Sequence, residues 1–492
     1  MTSLPSSPLD RRRFIQSLLA AAAASAVITP ERALAGSAPA LWALGVADVE
    51  ADIAPRTLTQ IAGRAPTDFA GTLYRNGPAK FRRGGSSAGH WFDGDGLIRR
   101  FRVADGRASL AARFADTPKR RQEARLDRIV MPGFGTPVGE GATINNNDDT
   151  NAANTSVMML GGELLALWEG GSATQLDPES LLTAGIKTFR DDLRHMPFSA
   201  HPRIEADGSV WNFGGNGRVT GLWHLGADGR LIDFAVLPLP RASYFHDFTI
   251  TARHIVIVLQ PWLQTRGGFP ISTTMEWQPG LGTQILVVAK DDLSQRRIYE
   301  LPAFSAFHYG DGWEEADGTI RFAGCIEADP TFGQTSASAM LRGEYIRAPR
   351  PVLQQIVLYP DGKAALETTG IAAEFPASDL RRAQQPHQLT VHVTGYDDNG
   401  PFPHGIATWD WQRGRADSFD FGEHQLVEEF QYAPGKSARE GDGWLIGSTL
   451  NLKAGVSELH LLRAGDVAAG PVASWRADVA LPISFHGVFV GA

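Results

Sequence analysis

The chain has a single cysteine, Cys325, in 492 residues. A lone thiol excludes an internal disulfide, a cysteine-rich zinc site and an iron–sulfur cluster. Any metal must therefore be held by histidine and carboxylate side chains. Positive charge is also short: 46 Lys and Arg face 54 Asp and Glu, for a net charge of −8. The signs are mixed along the chain and no basic stripe stands out, which excludes nucleic acid as a partner class. After residue 35 no stretch approaches the roughly 20 apolar residues of a membrane helix. Helical amphipathic periodicity is nearly missing, with Arg120–Arg128 and Asp177–Ala184 as its two short candidates. Hydrophobic residues, at 43%, are plentiful enough for a large core, so wholesale disorder is excluded.

Residues 1–35 differ from everything after them. Asp10-Arg11-Arg12-Arg13-Phe14-Ile15 precedes an apolar run, Leu18 through Ile28, and Ala33-Leu34-Ala35 forms a small-x-small exit before Gly36. That order describes a secretory signal. Its paired arginines followed by Phe resemble the twin-arginine type. The expectation is export to the periplasm or beyond, leaving residues 36–492 as one mature domain. The alternative is an uncleaved tethering helix. Twin-arginine export carries folded proteins, which suits an enzyme loaded with metal beforehand.

The mature chain reads as short strands separated by turns. Ser209–Phe213, His254–Leu259, Gln284–Val288, Gln355–Tyr359, Leu389–Val393 and Glu458–Leu462 are rich in β-branched and aromatic residues. Asp-Gly pairs begin at Asp105, Asp207, Asp228, Asp317, Asp361 and Asp442. Both residues tolerate positive φ, which favours tight hairpin turns. No Gly/Ser-rich linker divides residues 36–492. Many strands without a break predict an all-β closed architecture, and a propeller leaves few exposed strand edges. No strict repeat reveals the number of blades.

Among 13 histidines none forms an H-E-x-x-H pair. Four have distinctive settings: His201 in Ser-Ala-His-Pro-Arg, His246 in Phe-His-Asp-Phe-Thr-Ile-Thr, His308 in Phe-His-Tyr-Gly and His486 in Phe-His-Gly-Val-Phe. Their wide spacing assigns them to different blades, whose inner strands share one axis. His195, His224, His254, His387, His392, His404, His424 and His460 have no such setting and read as surface or packing residues. Asp93 and Asp95 lack the full ligand pattern of a calcium loop.

These segments resemble those of the carotenoid cleavage oxygenases. Gly71–Pro78 (GTLYRNGP), His90–Ile98 (HWFDGDGLI), Leu165–Gly171 (LALWEGG) followed by Leu176-Asp177-Pro178, the His-Asp-Phe segment at His246, and Phe485-His486-Gly487 occur in the family's order. The resemblance spans residues 40–492. It implies a seven-bladed β-propeller capped by a dome of loops and short helices. It also implies one Fe(II) per subunit on His201, His246, His308 and His486, with dioxygen as co-substrate. Three glutamates would support the last three histidines: Glu169, Glu374 and either Glu428 or Glu429, with Glu429 preferred by its distance from Pro434. His90 becomes a fold residue. The implied reaction is cleavage of a carbon–carbon double bond into two carbonyl products.

Two departures from the family pattern stand out. Asp311-Gly312 replaces the usual Asn-Ala after the third histidine. Members that cleave stilbenes hold the phenol with a tyrosine and a lysine, where this chain has Arg120 and Gly133-Phe134. That favours a carotenoid or apocarotenoid, with a lignin-derived stilbene or related phenylpropanoid as the alternative. A lipophilic polyene would bring peripheral contact with a membrane, for which Gln260–Ile271 is a candidate portal. A different class remains: a secreted propeller that binds ligands or hydrolyses glycans without iron. No motif specifies an oligomeric state.

Overall fold

The computed structural model describes residues 40–492 apart from Asp68, Asn216, His387 and Gln388. The export signal expected at 1–35 therefore lies outside the described residues, as does His387. Seven antiparallel sheets of four or more strands follow one another along the chain as the blades of a propeller. Blade one contains Ile53–Thr57, Gly71–Lys80, Asp95–Ala104 and Arg107–Phe114. Blade two runs over residues 156–186, three over 203–238, four over 249–301 and five over 305–372. Blade six covers 374–420 and blade seven 425–476.

The two chain ends close the ring. Thr59–Gly63, near the start, pairs with Ala473–Arg476 on the outer edge of blade seven. His486–Gly491, at the end, pairs with Gly71–Lys80 on the inner edge of blade one. Backbone hydrogen bonds thus join the first and last blades in two places, and the ring has no open edge between them.

The core lies between blades. The strand His254–Leu259 shows why its apolar run is unbroken rather than alternating. Ile255, Ile257 and Leu259 pack towards blade three, against Phe213 and Leu222. Val256 and Val258 pack towards blade five, against Ala306 and Phe322. A strand buried on both faces needs apolar residues at every position.

All six predicted strands coincide with observed ones, with Ser209 and Tyr359 one residue outside, and the Asp-Gly pairs fall at the connections between consecutive strands of a blade. At Asp105-Gly106 both residues have positive φ, 51° and 72°, as a two-residue hairpin between right-twisting strands requires. The helix expected at Arg120–Arg128 runs Pro118–Leu126, capped by Thr117. The one expected at Asp177–Ala184 does not form. There Asp177 accepts hydrogen bonds from the backbone and hydroxyl of Ser180, and Leu181 turns to a φ of 59°. This turn leads into Thr183–Ile186, the outer strand of blade two.

The dome is made of that helix, the short helical turns Asn147–Thr150 and Ile271–Thr274, and the helical segment from Phe332 to Met340. His90 fastens it: its buried ring bonds the Gly333 carbonyl at 3.0 Å and accepts from the Phe92 amide at 3.1 Å. Asp93 holds the amides of Phe134 and Gly135 and the Thr136 hydroxyl. Asp95 bonds Lys119 at 2.8 Å and Arg83 at 2.5 Å. Both aspartates are thus committed to the fold. Among the described residues no helix is long and apolar enough to cross a membrane.

Candidate metal centre

Each blade sends one polar side chain to the axis. Blade one gives His486, the first residue of its inner strand. Blade two gives Glu169, just beyond the strand Glu163–Leu167. His201 precedes the inner strand of blade three, and His246 precedes that of blade four. His308 lies in the inner strand Ser305–Glu314 of blade five, and Glu374 begins that of blade six. Glu429 sits between Gln425–Val427 and Gln431–Pro434 in blade seven.

The four histidines meet, with one ligand atom from each lying within 4.8 Å of all the others. Nε2 of His201 and Nε2 of His246 stand 2.8 Å apart. Three rings are fixed from behind by carboxylates. Glu169 bonds Nδ1 of His246, Glu374 bonds Nδ1 of His308 at 2.6 Å, and Glu429 bonds Nδ1 of His486 at 3.2 Å. Among the described residues no carboxylate bonds His201. Glu428 faces the other way, bonding Arg99 at 2.9 Å, the Ser484 amide at 2.6 Å and the Ser448 hydroxyl. In this link between two strands the adjacent side chains leave in opposite directions, so only Glu429 reaches His486.

The electrostatics favour neutral imidazoles at three of the four histidines. Burial pushes His201 and His246 well below the ordinary histidine range, and the surrounding rings push the same way. Burial also lowers His486, although Glu429 partly opposes it. His308 goes up: burial lowers it, but the charge and hydrogen bond of Glu374 outweigh that. A ring that donates its Nδ1–H to a carboxylate keeps the Nε2 lone pair free. Nε2 of His308 is fully buried and bonds no group among the described residues. Lone pairs aimed at one point repel unless a cation lies between them. Four imidazoles and no thiolate suit iron, zinc, copper or nickel better than calcium or magnesium. The donor set therefore fits a divalent transition metal.

A further clamp joins the strands carrying these rings. Arg203 grips both oxygens of Asp247 at 2.6 Å and donates to the carbonyls of Phe248 and Tyr309. Tyr309 returns its amide to Asp247 at 2.8 Å. Blades three, four and five are thereby tied together beside their histidines. Asp311 accepts from the amide and side chain of Gln384, and burial raises its carboxyl to about 6.

Aromatic side chains cover the dome side. Phe307 lies 5.5 Å from the His246 ring, and Phe375 lies 4.9 Å and 5.2 Å from His308 and His486. Phe92, Phe134, Phe332, Tyr244 and Trp262 continue the layer. Phe92, Phe332 and Phe375 are only half-buried despite this interior position. Phe375 holds a φ of 57°, and its amide donates to Glu374 at 2.9 Å. Left-handed backbone at a non-glycine residue costs roughly 1–2 kcal/mol.

Comparison with known proteins decides the family. The family model described as retinal pigment epithelial membrane protein matches residues 46–491. The chain belongs to this family, the carotenoid cleavage oxygenases. It is 28% identical over 485 residues to an apocarotenoid-15,15'-oxygenase of Synechocystis, covering 92% of this chain and 94% of that one. It is 26% identical to an isoeugenol monooxygenase of Pseudomonas nitroreducens, covering 88% and 94%. It is 24% identical to lignostilbene-alpha,beta-dioxygenase isozyme III of Sphingomonas paucimobilis, covering 88% and 93%. A crystal structure of the cobalt-substituted Synechocystis oxygenase superposes with a TM-score of 0.83 at 24% identity, covering 92% and 98%. This carotenoid cleavage oxygenase family member is accordingly an oxygenase enzyme.

The other described histidines stay apart from the four. His195 bonds Asp148 at 2.6 Å, His254 bonds Glu314 at 2.8 Å and His404 bonds Asp420 at 2.8 Å. His224 stacks on Trp211, His424 lies 3.4 Å from Glu423, and burial lowers His392 and His460 to about 4. Two participants escaped sequence reading. Tyr244 bonds Glu169, and Arg75, within the first motif, bonds Glu429 at 2.7 Å. The position of Arg75 in that motif was a usable signal; nothing marked Tyr244.

Proposed function

We propose that the chain uses dioxygen at an Fe(II) held by His201, His246, His308 and His486 to cleave a double bond of a carotenoid or apocarotenoid. The observation that carries this reading is the convergence of four histidines, three backed by carboxylates, beneath an aromatic layer. When bound, Fe(II) supplies coordination positions for dioxygen and the electrons that activate it. The balance is simple: the C=C and O=O bonds break, two C=O bonds form, and no proton is consumed. Glu169, Glu374 and Glu429 keep three rings in the tautomer that points Nε2 inward. Phe307 and Phe375, against the histidine rings, exclude water and orient the flat polyene across the site.

The polyene is favoured by what stands where a phenol would be held. Lys119 is committed to Asp95 and Glu123 at 2.8 and 2.9 Å, and Arg120 lies over the Phe114 ring at 4.1 Å. Phe134 belongs to the aromatic layer. A stilbene or related phenylpropanoid is the second reading, because relatives named for such substrates match at 24–26% identity. The comparisons give no support to a binding protein or glycan hydrolase. The test is metal analysis with product masses from a β-apocarotenal and a hydroxystilbene under air. Aldehydes from the first substrate alone support the polyene reading. Cleavage of the second alone overturns the substrate, and His246→Ala with undiminished cleavage overturns the site.

We extend the proposal to placement in the cell. Residues 1–35 would export the folded enzyme by the twin-arginine route, leaving residues 36–492 as one oxygenase domain. Lysine at both Arg12 and Arg13 should then retain it in the cytoplasm. Peripheral membrane contact would fall to Phe269, 44% exposed, and not to Trp262, which is fully buried. Undiminished liposome flotation of Phe269→Ser would remove that contact.

A further inference from the structure

We propose that Tyr244 is a positioning residue of the metal centre, acting through Glu169 on the His246 ring. The inference rests on the metal-centre reading above. The three carboxylates beside the histidines are not held alike. Glu429 accepts from Arg75, the Gln431 side chain and the Gly487 amide. Glu374 accepts from the Phe375 amide. Besides His246, the only donor to Glu169 among the described residues is the phenol of Tyr244, 3.1 and 3.2 Å from its two oxygens. Glu169 is also the most exposed of the three, its side chain 23% accessible against 12% and 11%. Glu169 and Glu374 each have one donor besides their histidine, and the more exposed Glu169 has the greater freedom to turn away.

Tyr244 itself is immobilised. Its amide bonds the Trp262 carbonyl at 2.8 Å, and its carbonyl accepts from Gln260 at 3.1 Å. Gln260 in turn accepts from the Ala306 amide, at the start of the strand that carries His308. The ring packs 5.8 Å from Phe134 and 5.0 Å from Trp262. Its hydroxyl is directed at both Glu169 oxygens, to which a phenol can only donate. Tyr244 and His246 are two residues apart on one segment, and both reach the same carboxylate. Three points thereby set the plane of Glu169 and, through it, the tilt of the imidazole. The phenol proton is spent on this contact and is not free to be donated to a substrate oxygen.

The experiment uses the mature protein carrying Tyr244→Phe, which removes the hydroxyl and keeps the ring. Fe(II) affinity is measured by chelator competition, and the nitric oxide adduct is examined by paramagnetic resonance. Loss of a partner behind a metal ligand costs roughly 10–100-fold in metal affinity or activity. About a tenfold loss of affinity is expected, with an altered spectrum and a fall in kcat at unchanged KM. Adding Tyr244→Phe to Glu169→Gln should then change affinity less than about twofold, because residues acting as a unit are not additive. Glu169→Asp, too short to span both partners, should reproduce the spectral change if the phenylalanine variant folds poorly. The inference is overturned by a Tyr244→Phe protein with parental affinity and spectrum, or by equal effects in both backgrounds. His246→Ala separates the failures. If it retains iron, the metal-centre reading is wrong; if it loses iron while Tyr244→Phe does not, only the tyrosine assignment falls.

Discussion

Arg75→Met removes the one guanidinium or ammonium group paired with Glu429 among the described residues. Arg75 is fully buried, with Nη1 2.7 Å from Glu429, Nε 3.0 Å from the Ser484 hydroxyl and Nη2 2.9 Å from the Phe485 carbonyl. At an effective dielectric near 20, a unit charge pair at this distance attracts by about 6 kcal/mol. Breaking a buried pair costs a net 3–5 kcal/mol, because the remaining charge stays unpaired. For a chain of this size the unfolding entropy is about 1 kcal/mol per degree. The melting temperature should therefore drop by roughly 3–5 °C. Iron affinity should fall by about tenfold or more as His486 loses a fixed acceptor. Arg75→Lys keeps the charge but loses the fork that spans Ser484 and Phe485, and should lie between parent and methionine variant. Scanning calorimetry and chelator competition read the two effects. A methionine variant that melts within about 1 °C of the parent and keeps its iron would refute the reasoning.

Lys119→Met leaves Asp95 and Glu123 buried without their shared ammonium group, and should destabilise the chain by about 3–5 kcal/mol in urea titrations. An unchanged midpoint would show that Arg83 suffices for Asp95. Burial raises Asp311 to about 6 from the usual 3.8, so between those values the folded state holds its proton more tightly than the unfolded state. This group therefore withdraws stability as pH rises through that window, by about 3 kcal/mol at most. Asp311→Asn should flatten that part of the pH–stability curve, and parallel curves would contradict the assignment. At Gly487 a β-carbon would fall 2.7 Å from Cδ of Arg75 and closer still to the Tyr74 carbonyl. Gly487→Ala should shift His486 and lower iron occupancy, with native occupancy as the contrary result.

Most of the centre was legible because its histidines lie in distinctive short segments. Glu169 and Glu374 were legible for the same reason. Glu428 and Glu429 were not separable by spacing alone, since which of the two adjacent side chains turns towards His486 is settled only by folding. The inner-strand position of each blade was equally hidden: blades alike in shape share no repeat in sequence. Ring closure depends on Thr59–Gly63 reaching blade seven, a pairing across some 400 residues that no local pattern encodes. The failed helix at Asp177–Ala184 is the opposite case, where amphipathic spacing lost to a side-chain cap and a left-handed Leu181. Tyr244 was missed because a tyrosine beside an apolar segment reads as core until its hydroxyl is placed.

The most direct test is iron per chain after anaerobic reconstitution, measured for the parent and for alanine at His201, His246, His308 and His486 in turn. One equivalent in the parent, lost in each variant while the propeller stays folded, is the predicted result. A folded parent that takes up no iron, or alanine variants that retain it, would contradict the four-histidine centre.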